Sequence, residues 1–174
     1  MSEPGNGFDA SIVDGMARNV GPAGIDIAYQ RLGSPDGPVL LLIMGIGGQS
    51  IAWPDPFCHA LAGRGLQVIR FDNRDVGLST HMTGAPAPDL PGALAGDLSS
   101  VSYTLSDMAA DAVGLLDALH CRKAHVVGAS LGGAIAQTMA IEHADRVRSL
   151  TSMLSTTGNL SVGQASPEML RELF

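Results

Sequence analysis

The most constraining feature of this sequence is a run of apolar residues at 39–44, which is apolar on both sides of a strand's alternation. Such a short run is typical of a central strand that is buried on both faces of a sheet. Further strands are predicted at 24–32, 67–72, 124–128 and 147–154, and helices at 54–63, 105–119, 132–143 and from Ser166 onward. This alternation predicts an α/β fold, with a mostly parallel sheet and helices on both faces.

The predicted strand at 24–32 differs from the central one because apolar and polar residues alternate along it. That pattern indicates a strand with one solvent-exposed face, and we expect it to run antiparallel at a sheet edge. The polar, glycine-rich residues 1–23 are predicted to be a flexible segment that precedes a core over 24–154. A length of 174 residues suits a single domain.

Charge and composition exclude several classes of partner. The net charge is −7 and the chain has one lysine, Lys123, so it lacks the basic patch that nucleic-acid binding requires. The apolar runs are too short for membrane insertion, and the N-terminus lacks the pattern of a secretory signal, which predicts a cytoplasmic protein. Cys58 and Cys121 lie far apart without metal-ligand spacing, and we expect buried, reduced thiols and no metal site.

The predicted helix at 105–119 has an amphipathic pattern, with Leu, Met and Ala recurring at helical spacing. Asp107, Asp111 and Asp117 are predicted to lie largely off this apolar stripe. Thr104, with Asp107 three residues later, predicts a capping box at the start of the helix.

The motif G-x-S-x-G occurs at 128–132, with Ser130 at its centre. A motif this short also arises by chance, but here a buried-type strand precedes it and a helical stretch follows, as a nucleophile elbow requires. The sharp turn needs small flanking residues, which Gly128 and Gly132 provide, and it holds the serine hydroxyl above the sheet edge. The alternative is a glycine-rich strand-to-helix turn with an incidental serine.

The loop after the central strand, at 45–48, is predicted to lie beside this turn. The backbone N–H groups of Ile46 and Leu131 would then point at one developing oxyanion, as acyl transfer requires. A plain glycine turn remains an alternative. Dinucleotide binding is disfavoured because Ser50 occupies the sixth position of the fingerprint, and no glycine-rich loop is followed by a Walker lysine. We therefore expect no cofactor.

Polar and charged residues follow the strand at 67–72, over residues 71–79. Their side chains could orient the loops around the candidate site. A purely structural, hydrogen-bonded turn is the alternative interpretation.

Three segments together, at 41–47, 70–79 and 126–133, resemble the alpha/beta-hydrolase superfamily. A Met-Gly pair at 44–45, with Trp53 and Pro54 downstream, is similar to actinobacterial esterases of the aclacinomycin methylesterase type. The resemblance covers about residues 24–154 and implies a small-molecule ester substrate, with Ser130 as nucleophile and the N–H groups of Ile46 and Leu131 as oxyanion hole. It also implies a lid that begins within 155–174, with a helix starting near Ser166.

The resemblance also marks what this chain lacks, since the superfamily order is Ser, then Asp or Glu, then His. After Ser130 the only histidine is His143, which a helix of about 13 residues places nearly 20 Å away. His81 is the one earlier histidine to be checked as a base, and His125 lies within a strand. Asp75 replaces the usual glycine of the Arg-Gly turn, and we assign it no function.

The chain is therefore predicted to be the N-terminal part of an esterase-like hydrolase, cut short before the final strands and the rest of the lid. By itself it is expected to be nearly inactive and to self-associate through an unpaired strand at 147–154. Two alternatives stay open: an inert or degenerate hydrolase that acts as a binding module, and a cofactor-free haloperoxidase or C–C bond hydrolase on the same scaffold.

Overall fold

The computed structural model describes residues 11–87, 89, 92, 96–159, 161–163, 166 and 168. Its strands are β1 (Val13–Val20), β2 (Ile25–Gly33), β3 (Val39–Ile43), β4 (Gln67–Phe71), β5 (Ala124–Ala129) and β6 (Val147–Met153). Its helices are α1 (Asp55–Ala62), α2 (Leu105–Ala118) and α3 (Leu131–Glu142). Within the described residues, the strands form one sheet in the order β1-β2-β4-β3-β5-β6.

The central position of β3 is confirmed. It pairs in parallel with β4 on one side and with β5 on the other. Leu41 and Ile43 belong to the core that α2 and α3 cover, whereas Leu40 and Leu42 belong to the core on the side of α1. Because alternate side chains of a strand point to opposite faces, β3 is apolar on both faces of the sheet. Each face is covered by helices, which confirms that part of the predicted fold.

The prediction of a flexible segment over 1–23 is wrong for residues 13–20, which form β1 and pair antiparallel with β2. As a result β2 is not an edge strand: it lies between β1 and β4 and is antiparallel to both. A methyl group on Gly15 of β1 would lie 2.3 Å from Cζ of Tyr29, so the tyrosine ring covers the bare backbone of β1. Residues 1–10 lie outside the described residues.

Helix α2 begins with the predicted capping box. Asp107 N–H donates to the Thr104 hydroxyl at 3.3 Å, and Thr104 N–H donates to the Asp107 carboxylate at 2.8 Å. These two bonds satisfy backbone donors that a helix start otherwise leaves without partners. The helix predicted from Ser166 falls largely on 167 and 169–174, which are outside the described residues.

Strand β6 ends the sheet order, and β5 is its neighbour. The side chains of residues 148–152 are exposed. Self-association through this strand stays a prediction. The carboxyl ends of β3, β4 and β5 meet at one edge of the sheet, which is where the candidate site lies.

Candidate active site

Ser130 lies at the junction of β5 and α3, in a backbone conformation that is rare for a residue with a side chain. Its φ is 54° and its ψ is −121°. Its N–H donates to the Met153 carbonyl of β6 at 2.9 Å, and its own carbonyl accepts from Gly133 N–H at 2.8 Å. Such strain costs on the order of 1–3 kcal/mol and persists only where the surroundings enforce it. Here it leaves Ser130 exposed at the carboxyl edge of the sheet.

The glycines on either side of Ser130 are required by close backbone approaches. A methyl group on Gly128 would lie 2.0 Å from the Gly132 carbonyl oxygen. One on Gly132 would lie 2.2 Å from the carbonyl oxygen of Ile43 in β3. The turn can therefore form only because both positions lack a side chain, as the sequence motif predicts.

The loop that follows β3 lies directly beside this turn. Ile43 pairs with Gly128 at the ends of the two strands. A methyl group on Gly45 would lie 3.0 Å from Cβ and 3.4 Å from Oγ of Ser130, so the loop backbone packs against the serine side chain. Both predicted N–H donors, Ile46 and Leu131, line one cavity of about 420 Å³ next to it.

The N–H groups of Ile46 and Leu131 form no backbone hydrogen bond within the described part of the chain. The Ile46 N–H has no hydrogen-bond partner there, and the Ile46 side chain is 84% exposed. Leu131 is the first residue of α3, so the helix itself offers its N–H no acceptor. A helix N-terminus also carries a partial positive charge, which favours an anion at this place.

A buried ion pair lies in the wall of the cavity, where Arg74 is one of the lining residues. Arg74 donates to both carboxylate oxygens of Asp111 on α2, at 2.6 and 2.8 Å, and each side chain is 4% exposed. The Arg74 guanidinium also lies 4.9 Å from the ring centre of Tyr103. Burial lowers the pKa of Arg74, but the hydrogen bonds to Asp111 outweigh it, so the pKa lies above its usual value.

Sequence analysis missed this pair, and the prediction that Asp111 lies off the apolar stripe of its helix is wrong. Asp111 occupies the helix face of Met108 and Ala112, both of which are buried. The spacing of the residues could have indicated that Asp111 is buried, since positions 108, 111, 112 and 115 share one face of a helix. Burial and, second, a hydrogen bond with Asp75 raise the pKa of the Tyr103 hydroxyl on the same wall.

The turn after β4 joins the site to the rest of the sheet. The Ser79 hydroxyl donates to the Asp72 carbonyl at 2.6 Å, and Leu78 N–H donates to the Asp72 carboxylate at 3.0 Å, so the turn is hydrogen-bonded internally. The Asn73 amide donates to the Met44 carbonyl at 3.0 Å, at the start of the loop that carries Ile46. Residues 71–79 therefore form a hydrogen-bonded structural turn, and one of their side chains also contacts a loop at the candidate site.

The histidines have other partners. His125 Nδ1 and the Ser149 hydroxyl are 2.7 Å apart, and His81 Nε2 lies 3.1 Å from the Gly77 carbonyl oxygen. His143 ends α3, at the opposite end of that helix from Ser130. Among the described residues, no hydrogen bond joins the Ser130 hydroxyl to a histidine.

The described part of the chain has neither a candidate metal site nor a candidate membrane span. No cluster of three His, Cys, Asp or Glu side chains there has the geometry to hold a metal ion. No described helix combines the length and apolar character needed to cross a membrane. Cys58 and Cys121 are buried and free, as predicted.

Comparison with known proteins gives a consistent result. Residues 38–173 match the model of a family described as alpha/beta hydrolase fold. Rhodomycin D methylesterase DauP of Streptomyces sp. (strain C5) is 39% identical over 125 residues, which are 72% of this chain and 37% of that protein. The figures are the same for rhodomycin D methylesterase DnrP of Streptomyces peucetius. The chain thus spans well under half the length of these relatives.

A solved structure of a hydrolase from Pseudomonas aeruginosa is similar in fold, with a TM-score of 0.65 and 26% sequence identity. The match covers 98% of this chain and 52% of that one.

Proposed function

The chain belongs to the alpha/beta hydrolase family, and from that premise we propose that it carries the nucleophile and the oxyanion hole of a serine hydrolase of carboxylic esters. The similarity to two methylesterases supports an ester as the substrate class. Because the chain spans 37% of the length of those relatives, the proposal concerns the activity of a complete protein that contains this chain.

One observation carries the proposal: the strained turn that exposes Ser130 is packed against the loop of a neighbouring strand. The positive φ of Ser130 belongs to the turn between β5 and α3. The close packing belongs to the loop after β3, where a methyl group on Gly45 would lie 3.4 Å from the Ser130 Oγ. A merely incidental serine would need neither. A protein retains such strain where it has a use, and here the use is to aim the hydroxyl at a bound carbonyl.

The proposed reaction begins when Oγ of Ser130 attacks the ester carbonyl carbon. The carbonyl oxygen gains negative charge and accepts hydrogen bonds from the N–H groups of Ile46 and Leu131, which strengthen as the charge develops. Collapse of the tetrahedral intermediate expels the alcohol and leaves an acyl group on Ser130. Water then attacks the acyl carbonyl carbon, and collapse of a second tetrahedral intermediate releases the carboxylic acid and returns a proton to Oγ of Ser130.

The serine hydroxyl needs a base to accept its proton. Three of the histidines are engaged or distant: His81 lies against the Gly77 carbonyl, His125 contacts Ser149, and His143 lies at the far end of α3. We place the base and its orienting acid in the portion of the relatives' length that this chain does not span. The 174-residue chain by itself should then show little or no turnover.

The test is hydrolysis of p-nitrophenyl esters by the complete protein, with mass-spectrometric mapping of the residue that a fluorophosphonate labels. We expect the label on Ser130, and Ser130→Ala should abolish both labelling and turnover. Ser106→Ala is the matched control: it removes an exposed hydroxyl that donates to Glu142 on α3, and it should change neither.

Hydrolysis at the parent rate by Ser130→Ala would refute the proposal. Labelling of Ser130 without turnover of any ester would favour the inert binding module. Turnover confined to halogenation or C–C bond cleavage would favour the other alternative on this scaffold. Robust turnover by residues 1–174 alone would refute the placement of the base.

A further inference from the structure

Two adjacent side chains at the end of β4 hold both ends of the loop that carries Ile46. At its start, the Asn73 amide donates to the Met44 carbonyl at 3.0 Å. At its end, Ser50 N–H donates to the Asp72 carboxylate at 2.7 Å. Asp72 and Asn73 are 5% and 4% exposed, so these bonds form away from competing water.

Inside the loop, a second hydrogen bond determines where the Ile46 N–H points. Gly48 N–H donates to the Gly45 carbonyl at 3.2 Å, which closes a four-residue turn. The Gly45 carbonyl and the Ile46 N–H belong to one planar, trans peptide group, so they point in opposite directions. A methyl group on Gly47 would meet nothing within 4 Å, so the positive φ of 65° in this turn, and not crowding, calls for glycine there.

We propose that Asn73 and Asp72 are positioning residues for the oxyanion hole, a role that rests on the proposed function. The peptide that presents the Ile46 N–H is fixed by its own turn, and that turn is anchored at each end by one of these side chains. The Asp72 carboxylate accepts a second bond from Leu78 N–H at 3.0 Å, which keeps the carboxylate in place. The turn after β4 thereby sets the position of a donor on a different loop.

The rate of ester hydrolysis depends on where the oxyanion donor is placed. An oxyanion donor acts only when its nitrogen lies about 2.7–3.1 Å from the developing charge. A displacement of about 1 Å from a change outside the reacting atoms can cost ~100-fold in rate. Without the Asn73 bond, the Met44 carbonyl and the peptides that follow it lose their buried anchor, and the Ile46 N–H loses its fixed position.

The experiment compares variants of the complete protein in ester hydrolysis. Asn73→Asp keeps the size of the side chain but replaces the amide donor with an acceptor that repels the Met44 carbonyl. We expect kcat to fall by roughly 10- to 100-fold with KM little changed. Affinity for a trifluoromethyl ketone, whose adduct with Ser130 places an oxyanion in the hole, should fall by the same factor. Asn73→Ala, which buries no charge, should show the same pattern if the aspartate variant does not fold.

Thr80→Val is the control, because Thr80 directly follows the same turn and its hydroxyl accepts from the Asp26 N–H of β2 at 2.9 Å, with no hydrogen bond to Asp72 or Asn73. It should lower the free energy of unfolding and leave kcat unchanged. The proposal is overturned if the Asn73 variants lose only stability, or if Thr80→Val lowers kcat as much as they do. Failure of the proposed function is distinct from either result, since it appears as turnover by Ser130→Ala.

Discussion

Substitution of Gly132 by alanine tests the close approach of α3 to the central strand. The added methyl carbon would lie 2.2 Å from the Ile43 carbonyl oxygen, 2.7 Å from the Ile43 carbonyl carbon and 2.8 Å from the Met44 carbonyl oxygen. A comfortable carbon–oxygen contact is about 3.3 Å or more, so α3 and β3 must separate by about 1 Å. All three atoms are backbone atoms at the centre of the sheet, and no side-chain rotation relieves the contact.

The cost of this substitution follows from two opposing terms. Overpacking of a core typically costs about 1–3 kcal/mol, and alanine recovers up to about 1 kcal/mol through its higher helix propensity. We expect Gly132→Ala to lower the free energy of unfolding by about 1–2 kcal/mol, which corresponds to a fall in Tm of roughly 2–8 °C for a protein of this size. The same shift displaces the Leu131 N–H, so ester hydrolysis by the complete protein should fall by on the order of 100-fold.

Urea and thermal unfolding followed by circular dichroism measure the stability change. Gly84→Ala is the control, because a methyl group at Gly84 would meet nothing within 4 Å and its φ is not positive. This control should change the free energy of unfolding by less than about 0.5 kcal/mol. If Gly132→Ala unfolds at the parent urea concentration, the helix and strand do not approach as closely as described, and the reasoning about the turn is refuted.

Two further predictions concern α2. Arg74→Met leaves the buried Asp111 carboxylate unpaired and should lower the free energy of unfolding, measured in urea, by about 3–5 kcal/mol. The double variant Arg74→Met/Asp111→Leu should recover part of that loss. If the costs of the two substitutions simply add in the double variant, the two side chains are not coupled and the prediction is contradicted. Thr104→Ala should cost about 1 kcal/mol through the lost cap. The Thr104 bonds hold the pKa of Asp107 below its usual value, so their stabilisation is present above the unfolded pKa of about 3.9 and is lost as the pH falls through the lower folded pKa. Urea titrations between pH 2 and 6 should show this loss in the parent, and an equal loss in Asp107→Asn would contradict it.

The elements that sequence analysis predicted well are those with a strong local signal. The apolar run at 39–44 has no polar residue to place in water, so burial on both faces was the natural prediction for β3. The small residues around Ser130 likewise have a local cause, since a sharp turn between a strand and a helix crowds its own backbone. Both features depend on residues that are near one another in the chain.

The features that were missed depend on residues far apart in the chain. Strand β1 lacks a regular alternation of apolar and polar residues and is held by pairing with β2 and by the Tyr29 ring over Gly15. The burial of Asp111 depends on Arg74, which comes from a turn on another part of the sheet. The hydrogen bond from the Asn73 amide also joins distant residues, because its acceptor, the Met44 carbonyl, lies on a different loop. A pattern within one segment cannot reveal a partner in another.

The strand order has a consequence for how the molecule is assembled during synthesis. The early part of the sheet, β1, β2, β4 and β3, can pair as soon as residue 71 is available, which leaves β3 as an open edge. That edge stays open until β5 is available, where Leu40 pairs with His125, so this parallel pairing is long-range and therefore intrinsically slow. The same pairing brings Ser130 against Gly45, so the step that covers the open edge of β3 also places the candidate nucleophile, and β6 adds to β5 afterwards.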